Sequence, residues 1–335
     1  MDSVTQIALG AAIGEQVLGK KLGGRAALAG AICGTLPDLD SFIPYADAVA
    51  SVTYHRSFSH SLIVLTLVSP LIAWGLKRGF RLTATPFRAW WWLCFLALIT
   101  HPMLDFFTVY GTQLFWPVYD YPWSGSTVFI IDPAYTLPLA IGVIIALTRA
   151  RDSRARHYSN MVGLGLSCLY LAWSVVAKFH IEGRVKDALA GQGIVWTSLL
   201  STPAPFNTAL WRLVVMAEGG YYEAFYHVLD APHQVRFDFY PDQKNLLDSL
   251  TEHWPVPRLQ WFTHGIYAVR RMGEDVVMTD LRMGLEPGYT FNFRVARVED
   301  EQIRPVTSSM LSIPLPLDQL GSLWARILAP VPRVP

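Results

Sequence analysis

The chain has 335 residues, of which 52% are hydrophobic and 16% charged, and its mean hydropathy is +0.30. Soluble domains carry about 25% charged residues, so this is the composition of a membrane protein. The length allows two domains, and a formal net charge of +1 leaves no electrostatic footprint for nucleic acid.

The opening, Met1-Asp2-Ser3-Val4, lacks the basic stretch of a signal peptide, so the N-terminus is expected to be retained and built into the fold. Six apolar segments follow, at roughly 4–19, 26–36, 61–76, 90–107, 128–147 and 161–178. The last four approach the ~20 residues that cross a bilayer as a helix. The first two are short and rich in small residues, with Gly10-x-x-x-Gly14 and Gly30-x-x-x-Gly34. That spacing permits close helix contact, and a tight hairpin is expected at Gly23-Gly24. Cys33, Cys94 and Cys168 all lie inside apolar segments and read as small core residues, not as a disulfide framework.

Basic residues mark alternate connections. Lys20, Lys21 and Arg25 follow the first segment, Lys77, Arg78, Arg81 and Arg88 the third, and Arg149, Arg151, Arg154 and Arg156 the fifth. The positive-inside rule puts these in the cytoplasm, so residues 37–60, 105–127 and everything after about 180 are expected outside. Trp90, Trp91, Trp92, Trp116 and Trp123 fall where interfacial aromatics belong. After residue 180, β-branched and aromatic runs at 210–215, 221–228, 234–240, 261–269, 276–281 and 290–298 are separated by turn residues and read as a meander of strands. One helical piece, about 242–253, interrupts it. The expected fold is an α-helical transmembrane bundle of about six membrane-embedded helices, the first two short, followed by a small extracytoplasmic α+β domain. The expected boundaries are 1–180 for the membrane domain, 181–320 for the β-rich domain and 321–335 for a Pro-containing tail.

Three polar stretches interrupt this apolar background: Pro37-Asp38-Leu39-Asp40, His55-Arg56-Ser57-Phe58-Ser59-His60 and His101-Pro102-Met103-Leu104-Asp105. Each has an ordinary structural explanation. Pro-Asp-x-Asp suits a turn, Ser57 or Ser59 suits a helix cap, and His101 and Asp105, one helical turn apart, suit a hydrogen-bonded pair. Their combination carries more weight, because the Lys and Arg pattern independently brings all three to one membrane face. Carboxylates and imidazoles gathered there are desolvated at a cost of several kcal/mol unless a cation joins them. Mixed His and Asp ligands suit a divalent metal such as zinc. The ligand candidates are His60, His101, Asp105 and one of Asp38 or Asp40, with His55 as a further ligand or a proton donor. Asp38 is alternatively a general base. Arg56 is either a phosphate clamp or a headgroup anchor or structural salt bridge.

On these residues the chain resembles the YdjM-like family of predicted membrane-bound metal-dependent hydrolases. The resemblance runs from Met1-Asp2-Ser3-Val4-Thr5-Gln6 through Leu36-Pro37-Asp38-Leu39-Asp40, His55-Arg56-Ser57-Phe58-Ser59-His60-Ser61 and His101-x-x-x-Asp105 to Tyr110-Gly111-Thr112-Gln113-Leu114-Phe115-Trp116-Pro117 and Ile130-Ile131-Asp132-Pro133, and spans about 1–140. It implies metal-dependent hydrolysis, with a ligand pattern distantly similar to that of zinc-dependent phospholipase C enzymes. Some relatives carry His where this chain has Gln6, a poor zinc ligand. Gln6 then either orients a ligand or water, or one metal position is altered, with Asp2 near enough to substitute.

The expected activity is hydrolysis of a phosphoester or ester of a lipid or other amphiphilic substrate at the outer interface of the inner membrane, with one or two divalent ions, zinc first. The bilayer is the expected partner and nucleic acid is not. The rival is a non-catalytic metal-binding or scaffold protein whose outer domain binds a partner; a transporter is disfavoured by the apolar segment interiors. Among other polar residues, Asp132 before Pro133 reads as a helix N-cap, Glu15 as an ion pair with Lys20 and Lys21, and His180, His227, His233, His253 and His264 as ordinary polar residues.

Overall fold

The computed structural model describes residues 1–81, 84–230, 235–314 and 317–328, which form two compact units. The first comprises Met1–Ile43, Arg56–Ser174 and Pro205–Asn207. Its helices are α1 (Ser3–Leu22), α2 (Gly24–Thr35), α4 (Leu62–Gly79), α5 (Phe87–Phe106), α6 (Pro133–Thr148) and the first part of α7 (Arg154–Gly191). Each of the six apolar segments carries a helix, although in the fifth, 128–147, it begins only at Pro133. Among the described residues three helices, α4, α5 and α7, are long and apolar enough to cross a membrane, and α6 is apolar but shorter. The expectation of about six membrane-embedded helices is thus met in part, by three candidate spans. α1 has the length but carries Gln6, Glu15, Gln16, Lys20 and Lys21 along its course.

Asp2 starts α1 by accepting hydrogen bonds from the Val4 and Thr5 amides. Gly23, at φ 63°, turns the chain directly into α2. The two helices then meet backbone to backbone: a Cβ placed on Gly30 would lie 2.0 Å from the Gly10 carbonyl oxygen, and one on Gly14 2.1 Å from that of Ala26. The small-residue spacing is thus used as expected. Trp90, Leu93, Cys94 and Leu98 of α5 pack into a core with Leu9, Ile13 and Leu18 of α1 and Ala26 and Ala29 of α2. Glu15 does not pair with Lys20 or Lys21. It takes two hydrogen bonds from Arg156, at 2.5 and 2.7 Å, in a buried ion pair.

The second unit comprises Pro44–His55, Val175–Ala204 and Thr208–Pro335. Among the described residues, eight strands form two four-stranded antiparallel meanders, β1 (Ser198–Pro203) to β4 (Asp238–Pro241) and β5 (Tyr267–Met272) to β8 (Gln302–Leu311), in sequential order. Between these lie β2 (Leu210–Ala217), β3 (Gly220–His227), β6 (Asp275–Leu285) and β7 (Gly288–Glu299). α7 runs through position 180 without a break. Its last turns bury Ile181, Val185 and Leu189 against Trp211, Leu213 and Tyr226.

Several boundaries differ from the sequence reading. The run at 261–269 begins as helix α8 (Pro255–Phe262), started by a proline at its first position, and becomes β5 only at Tyr267. The piece at 242–253 is a 3-10 helix, Lys244–Leu250. β1 and β8 escaped the pattern search; both are edge strands, and β8 carries Pro305. A further helix, α9 (Leu317–Leu328), stands where the tail at 321–335 was expected to begin; residues 329–335 and His233 lie outside the described residues. The division between units falls inside α7, at Ser174 and Val175, not at 180.

The chain between two of the polar stretches also belongs to the second unit. Helix α3 (Ala48–Tyr54) packs on α8 and β8. The Val49 amide donates to Ser308 Oγ at 3.3 Å, and Arg258 donates to Thr53 Oγ1 at 3.0 Å while stacking over the Tyr54 ring.

Candidate metal centre

Four side chains from three elements of the first unit converge. Asp38 comes from a 3-10 helix, Pro37–Phe42, begun by a proline whose fixed φ suits a first helical position. His60 ends the 3-10 turn Phe58–His60, immediately before Ser61 caps α4. His101 and Asp105 stand one turn apart at the end of α5. One ligand-type atom from each lies within 4.8 Å of the others. His60 Nε2 is 3.1 Å from His101 Nε2, 3.2 Å from Asp105 Oδ2 and 3.4 Å from Asp38 Oδ1. His101 Nε2 is 3.4 Å from both carboxylate oxygens. Zinc bonds of about 2.0–2.1 Å in a tetrahedron put neighbouring ligand atoms about 3.3–3.4 Å apart, so these separations fit one small cation.

The protons fit it too. His101 Nδ1 lies 2.7 Å from the Gly34 carbonyl oxygen, which only accepts, so Nδ1 carries the proton and Nε2 presents a lone pair. Ser59 Oγ donates to Asp40 Oδ2 at 2.5 Å and therefore accepts from His60 Nδ1 at 2.9 Å, so that the proton sits on Nδ1 and His60 Nε2 turns to the cluster. Asp105 is held by one oxygen only. Its Oδ1 receives the Met1 amino group, Gln6 Nε2 at 3.1 Å and the Arg56 guanidinium at 3.4 Å. Its Oδ2, buried and without a hydrogen-bond partner, points at the two imidazoles. Four ligand-type atoms thus face one another at close range, an arrangement that a divalent cation resolves.

The remaining sequence candidates fall outside this group. Asp40 sits one layer out: it accepts from Ser59 and, at 2.9 Å, from the Arg56 amide, and so orients His60 through Ser59. His55 closes α3 in the second unit and is not among the four. Arg56 is buried, at φ 62°, over the Tyr110 ring; its guanidinium donates to Thr108 Oγ1 at 3.2 Å and backs Asp105, which is the structural salt-bridge alternative and not an exposed phosphate clamp. Gln6 orients a ligand. Asp2 caps α1, and Asp132 caps α6 while accepting from the Tyr170 hydroxyl at 2.8 Å. Sequence reasoning missed the Gly34 carbonyl and the roles of Ser59 and the Met1 amine. Ser59, directly before His60, was visible in the sequence; a backbone carbonyl and a terminal amine leave no sequence signal.

The family described as "YdjM inner membrane protein" matches residues 1–181. Inner membrane protein YbcI of Escherichia coli (strain K12) is 32% identical over 154 residues, covering 43% of this chain and 86% of that protein. No solved structure matches. The matched region contains Asp38, His60, His101 and Asp105, and the chain belongs to the YdjM inner membrane protein family.

Proposed function

We propose that this inner membrane protein is a metal-dependent hydrolase of a phosphoester or ester in a lipid or other amphiphilic substrate, with zinc as the preferred ion. The observation that carries the reading is the set of four converging ligand-type atoms, at separations suited to zinc. Asp38, His60, His101 and Asp105 hold the ion. A divalent ion there supplies Lewis acidity toward a phosphoryl or acyl oxygen and a nucleophilic water at neutral pH. The protein's own groups hold the frame: Gly34 and Ser59 fix the two imidazole tautomers, and Gln6 and Arg56 fix Asp105. The three ligands His60, His101 and Asp105 are fully buried, whereas the Asp38 side chain is 22% exposed. Asp38 therefore marks the side from which substrate would approach a metal held by these residues. The Lys and Arg pattern supports placing this side, and the second unit, outside the cytoplasm.

Four protein ligands filling a tetrahedron also favour a second reading, a closed structural metal site in a scaffold protein. The two readings separate in one experiment. Full-length protein is loaded with zinc in phosphatidylethanolamine/phosphatidylglycerol nanodiscs, and release of fatty acid, phosphate or headgroup is followed. Zinc-dependent release that disappears in Asp105→Ala supports the hydrolase. Stoichiometric zinc with no release from any ester-containing lipid leaves the structural site.

A further inference from the structure

Every loop stretch that shapes the ligand cluster also carries apolar side chains into the open. Leu39 lies between Asp38 and Asp40, Phe42 follows at 81% exposure, and Phe58 stands two residues before His60. The connection after α5 adds exposed Phe115 and Tyr119, with Val118 at 82%. This connection is pinned beside His60: the Leu62 amide donates to the Leu114 carbonyl at 2.9 Å and Ser61 Oγ donates to that of Trp116 at 2.5 Å. The Phe58 and Trp116 rings meet edge-on at 6.2 Å, so the two apolar loops form one rim.

Charge and continuity identify what covers it. Residues 106–119 contain no Lys, Arg, Asp or Glu. The rim adjoins the start of α4, a helix long and apolar enough to cross a membrane, whose exposed Leu67, Leu71 and Trp74 form the face a bilayer covers. Aromatic rings are enriched at the lipid–water boundary, where an apolar body and a polar tip are both satisfied. An apolar surface this open marks an interaction site.

We infer that the rim formed by Leu39, Phe42, Phe58, Phe115, Val118 and Tyr119 seats in the headgroup–acyl boundary of the bilayer, holding the Asp38–His60–His101–Asp105 cluster at headgroup depth. The substrate bond then belongs to the headgroup or glycerol region of a membrane lipid, not to its acyl tail. This substrate assignment rests on the hydrolase reading; the seating of the rim does not.

The test is nitroxide accessibility in the full-length protein in phosphatidylethanolamine/phosphatidylglycerol nanodiscs. Labels are placed by Phe42→Cys and Val118→Cys in a Cys168→Ser background, since Cys33 and Cys94 are buried. Leu71→Cys and exposed Arg271→Cys report bilayer and water. The rim labels are expected to be open to oxygen and protected from a water-soluble nickel chelate, at a depth shallower than Leu71. Chelate access equal to that at Arg271 overturns the inference, because the rim then stands in water. Protection from both reagents also overturns it, because protein then covers the rim. Zinc content measured on the same samples keeps the two ideas apart: lipid-seated labels without bound metal sink the hydrolase reading alone.

Discussion

Asp105 shows how a single residue can be divided in function. Three donors saturate Oδ1 while Oδ2 is left bare and buried, which costs several kcal/mol unless a cation is supplied. His101→Ala or Asp105→Ala is therefore expected to abolish stoichiometric metal, read by elemental analysis of purified protein; full retention in both would remove the site. Asp40→Asn and Ser59→Ala act through the His60 ring and are expected to weaken affinity about 10–100-fold without abolishing it, measured by competition with a chromophoric chelator. Protons and metal compete for the two Nε2 atoms, so lower pH means less metal. Metal content is therefore expected to fall as pH is lowered, read by elemental analysis after dialysis at stepped pH. Full retention down to a pH of about 3 would contradict imidazole ligation. The four ligand residues were all legible in the sequence, because buried His and Asp are conspicuous in an apolar chain. What was not legible was the division between Asp38 and Asp40. Two carboxylates two residues apart are equivalent on paper, and only the turn of the 3-10 helix sends one to the imidazoles and the other to Ser59.

At the scale of elements, the hairpin of α1 and α2 sets the tolerance of the centre. Gly34 supplies the carbonyl that fixes His101, and a Cβ on Gly34 would come within 2.5 Å of the Gln6 carbonyl oxygen. Gly30→Val is expected to lower thermal stability in detergent by at least about 1–3 kcal/mol through overpacking, and Gly34→Ala to lower metal content more than it lowers stability. Equal effects on both quantities in both variants would mean that the Gly34 carbonyl has no special role. The helices were readable because long apolar runs admit few alternatives, and most strands because they are β-branched and aromatic runs set off by turn residues. β1 and β8 were not, since Ser and Pro residues dilute their β-branched and aromatic content. The start of α8 was missed because Trp261 and Phe262 have strand-like chemistry while Pro255 decides the backbone.

For the whole molecule, the second unit is not an appendage joined at one point. The chain leaves the first unit after Ile43, which follows Asp38, and re-enters at Arg56, which precedes His60. Between them, α3 is fastened to α8 and β8. The link between Asp38 and His60 is therefore not a free loop, since its middle folds with the second unit. Arg258→Ala, which removes the bond to Thr53 and the stacking on Tyr54, is expected to speed amide hydrogen exchange in α3 while leaving the four clustered residues intact. If the cluster and α3 are linked through this excursion, an ion bound at Asp38 and His60 would also steady α3, and amide hydrogen exchange there would slow when zinc is added and quicken when it is stripped. Exchange indifferent to zinc would mean that the backbone between Ile43 and Arg56 carries no signal from the candidate site to the second unit.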